Sequence, residues 1–328
     1  MWFVTQRKLL LTLAIGVVGS CVLLIAVLGL PFGIDFTGGS LTEVVYEERP
    51  EQGSVAVLLD QQGLGAYSLR ETGVVQGEEG FIIRTRDLSE AERTAVSAAA
   101  VSIGVGGEVT RFTSVGPVIG AELKDKATWA IALVSLIIVL YVAYAFAGVS
   151  YPVGSWTYGG ITIVALIHDV IIPTAAMALL GYFAGVEIDV LFVMALLAVL
   201  GYSVNDTIVV FDRVRENLMQ YRTEKKTQVI NVDGLEREES SYTLTKPFAE
   251  IVGMSIDQTL VRSLNTSATT LVALIALYIF GGSTTEIFAL ILMIGVIAGT
   301  YSSICVANPL LVYIAERNVL KSTPEKIS

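Results

Sequence analysis

Apolar residues gather into six long runs along this chain, at 9–30, 127–147, 158–183, 188–211, 264–280 and 287–314. About 20 apolar residues in a helix cross the ~30 Å hydrocarbon layer of a bilayer, so each run predicts a membrane-spanning helix. The first run follows Arg7 and Lys8, as the core of a secretory leader would. A leader core is about 7–15 residues long and is followed by a small-residue cleavage site. This run is longer and no such site follows, so it is expected to remain as the first span.

The stretch 31–126 has a different rhythm. Strand-like alternation at 41–46, 66–71, 80–86 and 108–114 is interleaved with helical patterns at 51–64, after Pro50, and from Ser89 to about residue 103. The Ser89-Glu90-Ala91-Glu92 start resembles a capping box. The order β-α-β-β-α-β is the ferredoxin-like split motif. The expected fold class is therefore a membrane α-helical protein of six transmembrane helices, with one small α+β ferredoxin-like domain between helices 1 and 2. The expected divisions are 1–30 for the N-terminus and helix 1, and 31–126 for the domain. Helices 2–6 occupy 127–314 with a polar loop at about 212–263, and 315–328 form a tail. Within that loop, 221–250 is polar and broken by Gly234 and Pro247, which predicts a flexible or small β-hairpin insertion.

Composition supports the membrane assignment. Of 328 residues, 53% are hydrophobic and 16% charged, against about 25% charged in a soluble domain. The formal charge is −10, and 31–126 carries 15 acids against 8 bases. Nucleic acid is thereby disfavoured as a partner, because phosphate binding needs a basic face. With the N-terminus inside, 13 basic residues flank the cytoplasmic ends of the spans, while the short outer loops 184–187 and 281–286 have none. The inner loop 148–157 also has none, which weakens the asymmetry without reversing it. Both termini are expected in the cytoplasm and 31–126 outside. Cys21 and Cys305 lie in apolar runs with no CxxC, and His168 is the single histidine. Zinc and Ser-His chemistry are disfavoured, and no metal or cofactor is expected.

The chemistry gathers at 201–215, GYSVNDTIVVFDRVR, which closes the fourth run yet carries Asn205, Asp206, Asp212, Arg213 and Arg215. An aspartate inside a bilayer costs about 2.5–3.5 kcal/mol on insertion scales, so it must face protein or water and usually serves transport. On a helix, Tyr202, Ser203, Asp206, Val210 and Arg213 share one side. The fifth span has a matching stripe at Arg262, Asn265, Thr266 and Thr269, and two such stripes on neighbouring helices would cover each other. Asp206 reads as a functional buried group facing the stripe of Arg262, with Asn205 as a hydrogen-bonding helper. The competing reading is a structural ion pair that locks the helices. Asp212, beside Arg213 and Arg215 at the helix end, reads as an interfacial salt bridge. For His168-Asp169, ahead of Pro173, a proton relay and a structural hydrogen bond both stand open. Gly295 and Gly299 form a G-x-x-x-G, a close-packing signal.

Two glycine motifs flank the 31–126 domain. FGIDFTGGS (32–40) holds Gly33, Asp35, Gly38 and Gly39, and VGPVIGAEL (115–123) holds Gly116, Pro117 and Gly120. They can fix the domain to the membrane face or act as hinges, with Asp35 read as a local turn cap. Together with NDTIVVFDRVREN (205–217) and LVRSLNTS (260–267), these motifs resemble, in order, the SecF half of the SecD/SecF family of bacterial protein-export subunits. The resemblance spans residues 32 to about 309. It implies the RND-superfamily membrane fold in the inner membrane, no enzymatic activity, and proton-driven help with late steps of export. It carries a proton-transport role to Asp206 and Arg262. The partners it implies are a SecD-like subunit, the SecYEG channel, SecA, YajC and the translocating polypeptide. Rival readings are one half of an RND-type small-molecule exporter, for which the 31–126 domain is small, and a passive scaffold of the channel.

Overall fold

The computed structural model describes residues 2–72, 79–147, 152–230 and 236–322. A short helix α1 (Trp2–Thr5) leads into α2 (Arg7–Leu28), the first span. There follow α3 (Ile34–Thr37), β1 (Gly39–Tyr46), α4 (Gln52–Gln61), β2 (Ser68–Thr72), β3 (Glu79–Thr85), α5 (Glu90–Ser102) and β4 (Glu108–Val115). The remainder is α6 (Pro117–Ala145), α7 (Ser155–Ala184), α8 (Val190–Tyr221), the strands β5 (Arg222–Ile230) and β6 (Glu236–Leu244), α9 (Phe248–Phe280) and α10 (Ser283–Ser302). A π-helical stretch, Ser303–Ala307, joins α10 to α11 (Asn308–Ser322).

The small α+β domain is an antiparallel sheet in the order β2-β3-β1-β4, with Ser40 opposite Thr85 on one side and Ser114 on the other. Alternation along β1 turns Val44 and Tyr46 inward against Phe81 and Ile83 of β3, where Val55 and Leu59 of α4 and Val96 and Ala100 of α5 close the core. Each such side chain contributes about 1.5–3 kcal/mol of burial. α5 begins with a complete capping box: Glu92 N–H donates to Ser89 Oγ, and Ser89 N–H donates to Glu92 Oε2 at 2.9 Å.

Among the described residues six helices are long and apolar enough to cross a membrane: Arg7–Leu28, Pro117–Ala145, Ser155–Ala184, Val190–Tyr221, Phe248–Phe280 and Thr285–Arg317. α7, α8 and α10 with its continuation form the buried centre, while α2, α6 and α9 keep most of their surface outward. Several helices overrun the apolar runs. α6 begins at Pro117, α8 continues to Tyr221, and α9 starts at Phe248, so the polar connection at 212–263 contracts to one hairpin, β5–β6. The π stretch has a local cause. Pro309 has no N–H for the Cys305 carbonyl four residues back, and just before it Asn308 Nδ2 donates to Ser303 O, five residues back, at 2.6 Å.

The domain is joined to the bundle through the glycine motifs. Gly33 N–H donates to Ile188 O at 2.8 Å and Ile188 N–H to Pro31 O at 2.7 Å, knitting the first motif to the α7–α8 connection. α3 lies on the start of α6 at backbone distance: a Cβ on Gly38 would come 2.7 Å from Pro117 Cα, and one on Gly120 2.8 Å from Gly38 N. From β3, Arg84 donates to Phe32 O at 3.2 Å and pairs with Glu187 at 2.8 Å.

Candidate functional site

The centre of the bundle is polar where a membrane core should be apolar. Three side chains that can carry full charge are buried there: His168 and Asp169 of α7 and Asp206 of α8, at 2%, 0% and 3% exposure. Hydroxyls surround them. Asp169 Oδ2 accepts from Ser203 Oγ of α8 and, at 2.7 Å, from Ser302 Oγ at the end of α10. Its Oδ1 lies 2.8 Å from His168 Nδ1. Asp206 faces Ser263 of α9 and Thr300 of α10. Its Oδ2 and Ser263 Oγ are both buried without a hydrogen-bond partner. Behind them Thr300 and Ser267 hydroxyls meet at 2.5 Å, and Tyr202 O–H donates to Ser267 at 3.2 Å.

Local sequence explains how this seam forms. Pro173 inside α7 cannot donate to the Asp169 carbonyl, so the helix is least self-satisfied at the site. Gly299 of α10 brings that helix against Ser203, where an added Cβ would lie 3.0 Å from Ser203 Cβ, and Gly295 packs one turn earlier on Val199. The G-x-x-x-G therefore packs inside the fold and sets the α8–α10 spacing at which Ser302 and Thr300 reach the two aspartates.

The expected Asp206–Arg262 pair is absent. Arg262 and Asn265 are exposed, with Thr269, along the outward face of α9. α9 presents Ser263 to Asp206 and buries Ser267 against Thr300, both one position round the helix from that stripe, which is a turn of about 100°. Arg262 instead lines a shallow cleft with Asp212, Arg213, Glu216 and Thr259. Asn205 is exposed as well, on the face of α8 away from Asp206. Asp212 is exposed and pairs with Arg215 at 2.6 Å, and Arg213 pairs with Glu216 at 2.8 Å.

Asp35 differs from its expected local role. Its Oδ2 accepts from Val190 N–H at 3.0 Å, so it caps α8 from 155 residues away, beside Asp189, whose Oδ1 accepts from Phe192 N–H at 2.9 Å. Gly38 (φ +76°) and Gly39 (φ +125°) take conformations that side chains resist. Gly116 caps α6 and Pro117 opens it. Among the described residues no three His, Cys, Asp or Glu side chains are grouped to hold a metal ion. Residue-by-residue reading overlooks Ser263, Ser267 and Thr300, which bear on Asp206. Their only signal is the density of hydroxyls in otherwise apolar helices.

Six spans, a small domain clamped to one end and buried carboxylates at the centre define an integral membrane protein of the transport class. Residues 96–236 and 235–317 match the family described as protein export membrane protein SecD/SecF, C-terminal, and residues 23–48 match the SecD/SecF GG motif. The chain belongs to the SecD/SecF protein-export family. It is 39% identical over 320 residues to protein translocase subunit SecF of Thermobaculum terrenum, covering 95% of this chain and 92% of that one. It is 35% identical over 311 residues to SecF of Anaerolinea thermophila, covering 94% and 92%. Against SecDF of Thermus thermophilus it is 34% identical over 314 residues, which is 94% of this chain and 37% of that protein. The crystal structure of that SecDF superposes with a TM-score of 0.78 at 29% identity, over 97% of this chain and 39% of that one. The chain thus spans nearly the whole of its SecF relatives and about two-fifths of SecDF.

Proposed function

We propose that this subunit of the Sec protein-export machinery couples proton flow across the bacterial inner membrane to late steps of translocation, together with a SecD-like partner. The observation that carries this reading is Asp206, a carboxyl buried among hydroxyls in the bundle with one oxygen unpartnered. A charge held there without a paired cation is costly, so the site favours different helix arrangements with and without the proton. A proton arriving from one side would shift the balance between them.

α8 connects this event to the domain. Asp206 and the Asp35-capped end at Val190 lie on one helix, about 24 Å apart at 1.5 Å per residue. A tilt of α8 would therefore move the first glycine motif and the sheet attached to it, a hinge-type transmission. In this reading the α+β domain is ferredoxin-like and extracytoplasmic, both termini are cytoplasmic, and the domain meets polypeptide leaving the SecYEG channel, with SecA and YajC as further contacts. Arg262 takes part from the outward face of α9, where the SecD-like partner would cover it.

The test is Asp206→Asn in inverted membrane vesicles, measuring proton-gradient-dependent stimulation of export. Loss of that stimulation, with the subunit still present in the membrane, is expected. Undiminished stimulation would remove Asp206 as the carrier and leave a passive scaffold.

A further inference from the structure

Among the described residues Asp206 is one of two buried carboxyls, and the other is the better solvated by protein. Asp169 Oδ2 accepts from Ser203 and Ser302, and its Oδ1 lies 2.8 Å from His168 Nδ1. An ionised carboxylate accepts only, so the Nδ1 proton belongs to His168. An anion at 0% exposure in a membrane bundle is costly without a countercharge, and the adjoining imidazole is the one in reach. The Tyr301 ring, 5.6 Å from the imidazole between centroids, favours a cation there. His168 Nε2 is buried and unpartnered, leaving the second ring position free to gain or lose a proton.

The surroundings are otherwise uncharged. α8 supplies Ser203 and, three residues on, Asp206; α10 supplies Thr300, Tyr301 and Ser302; α9 reaches Asp206 through Ser263. The π stretch and α11 add Cys305 and Asn308. The buried residues of α2 (Leu10, Ala14) are apolar, as are Val142 and Ala143 of α6. Among the described residues His168, Asp169 and Asp206 are the only carboxyl, imidazole or basic side chains fully buried.

We propose that His168 and Asp169 form a second proton-binding site of the bundle, an imidazolium–carboxylate pair whose proton occupancy is linked to that of Asp206. The proton released by the pair leaves from the imidazole, giving neutral His168 beside ionised Asp169, and no other bond changes. The linkage has two routes. Ionised Asp206, three residues along α8 from the Ser203 that contacts Asp169, favours the imidazolium through space. The two sites also share their framework, because Ser203 and Asp206 ride on α8 while Ser302 and Thr300 ride on α10. This inference rests on the proposed role of Asp206 in proton transfer.

His168 is the only histidine in the chain, so ¹⁵N-histidine labelling gives one imidazole spectrum. The full chain, purified with a histidine-free tag and placed in lipid nanodiscs, is titrated through neutral pH. The expected spectrum shows imidazolium with a hydrogen-bonded Nδ1 that converts to neutral imidazole as pH rises. Asp206→Asn, or Asp206→Ser as a second variant, should lower the imidazolium-to-imidazole ratio at fixed pH about tenfold. A neutral imidazole throughout, or a ratio indifferent to both variants, would overturn the proposal. If export stimulation is lost in Asp206→Asn while the spectrum is unmoved, the linkage fails and the carrier role of Asp206 stands. If stimulation survives, the carrier role fails whatever the spectrum shows.

Discussion

At the N-terminus of α8 two carboxylates, Asp35 and Asp189, share one set of backbone donors. Burial pushes the Asp189 carboxyl up, and the charge of Asp35 adds to that push against the pull of the Phe192 amide. A carboxyl raised on folding binds its proton more tightly in the folded state. Its contribution is therefore full at low pH and is lost as pH rises from the ordinary carboxylate range through the folded value. Asparagine caps a helix about as well as aspartate and carries no charge. Asp189→Asn should raise the thermal midpoint in nanodiscs at pH 7.5, with the gain shrinking at pH 4. An equal loss at both values would show that the charge serves the helix dipole instead. The case also marks what single residues disclose in a sequence. A carboxylate inside an apolar run announces itself, so Asp206 is legible. Which neighbour it meets is not, because Arg262 and Ser263 differ by one position and only packing decides which of them faces inward. The same holds for Asp35, whose aspartate-glycine setting suggests a turn while its actual acceptor role lies on a helix 155 residues further on.

Elements are more legible than contacts. The six spans follow from runs of apolar residues, and the β-α-β-β-α-β order follows from alternating patterns in 31–126. Helix ends are less so, because charged turns of α6, α8 and α9 extend past the apolar layer without any stop signal. The π stretch, spanned by the Asn308 side-chain bond to Ser303 O ahead of Pro309, is encoded by no periodicity. The glycine motifs lie between these cases: their composition predicts close approach, and the approach is between α3 and α6. Gly38→Ala would place a side chain at φ +76° and 2.7 Å from Pro117 Cα. Backbone on both sides cannot yield as a side chain would, so a loss of at least about 2 kcal/mol is expected. Gly53→Ala is the control, since nothing lies within 4 Å of its Cβ position in α4, and it should be neutral or stabilising by up to about 1 kcal/mol. Thermal unfolding of both variants decides; equal midpoints would mean that the α3–α6 contact bears no load.

The whole molecule has a closed side and an open one. α7, α8 and α10 enclose the polar seam, and Arg84 with Glu187 fastens the sheet to its end. α9 contributes Ser263 and Ser267 inward and leaves Arg262, Asn265 and Thr269 outward, near the middle of a helix otherwise studded with exposed Val261, Leu264 and Val272. Level with Asp212, Arg213 and Glu216 at the charged end of α8, an arginine left toward lipid only snorkels to the interface. The same stripe covered by a second membrane subunit would instead supply the polar contacts that hold membrane helices together. On the proposed role, that subunit is SecD-like, and the open face of α9 is where it binds. Arg262→Leu combined with Asn265→Leu makes this face compatible with lipid and leaves the buried seam untouched. The variant should fold, and retention of the co-expressed partner through mild-detergent purification should fall about tenfold, the equivalent of ~1.4 kcal/mol of lost contact. Unchanged retention would move the partner to the exposed faces of α2 or α6 and leave Arg262 as an interfacial charge beside the end of α8.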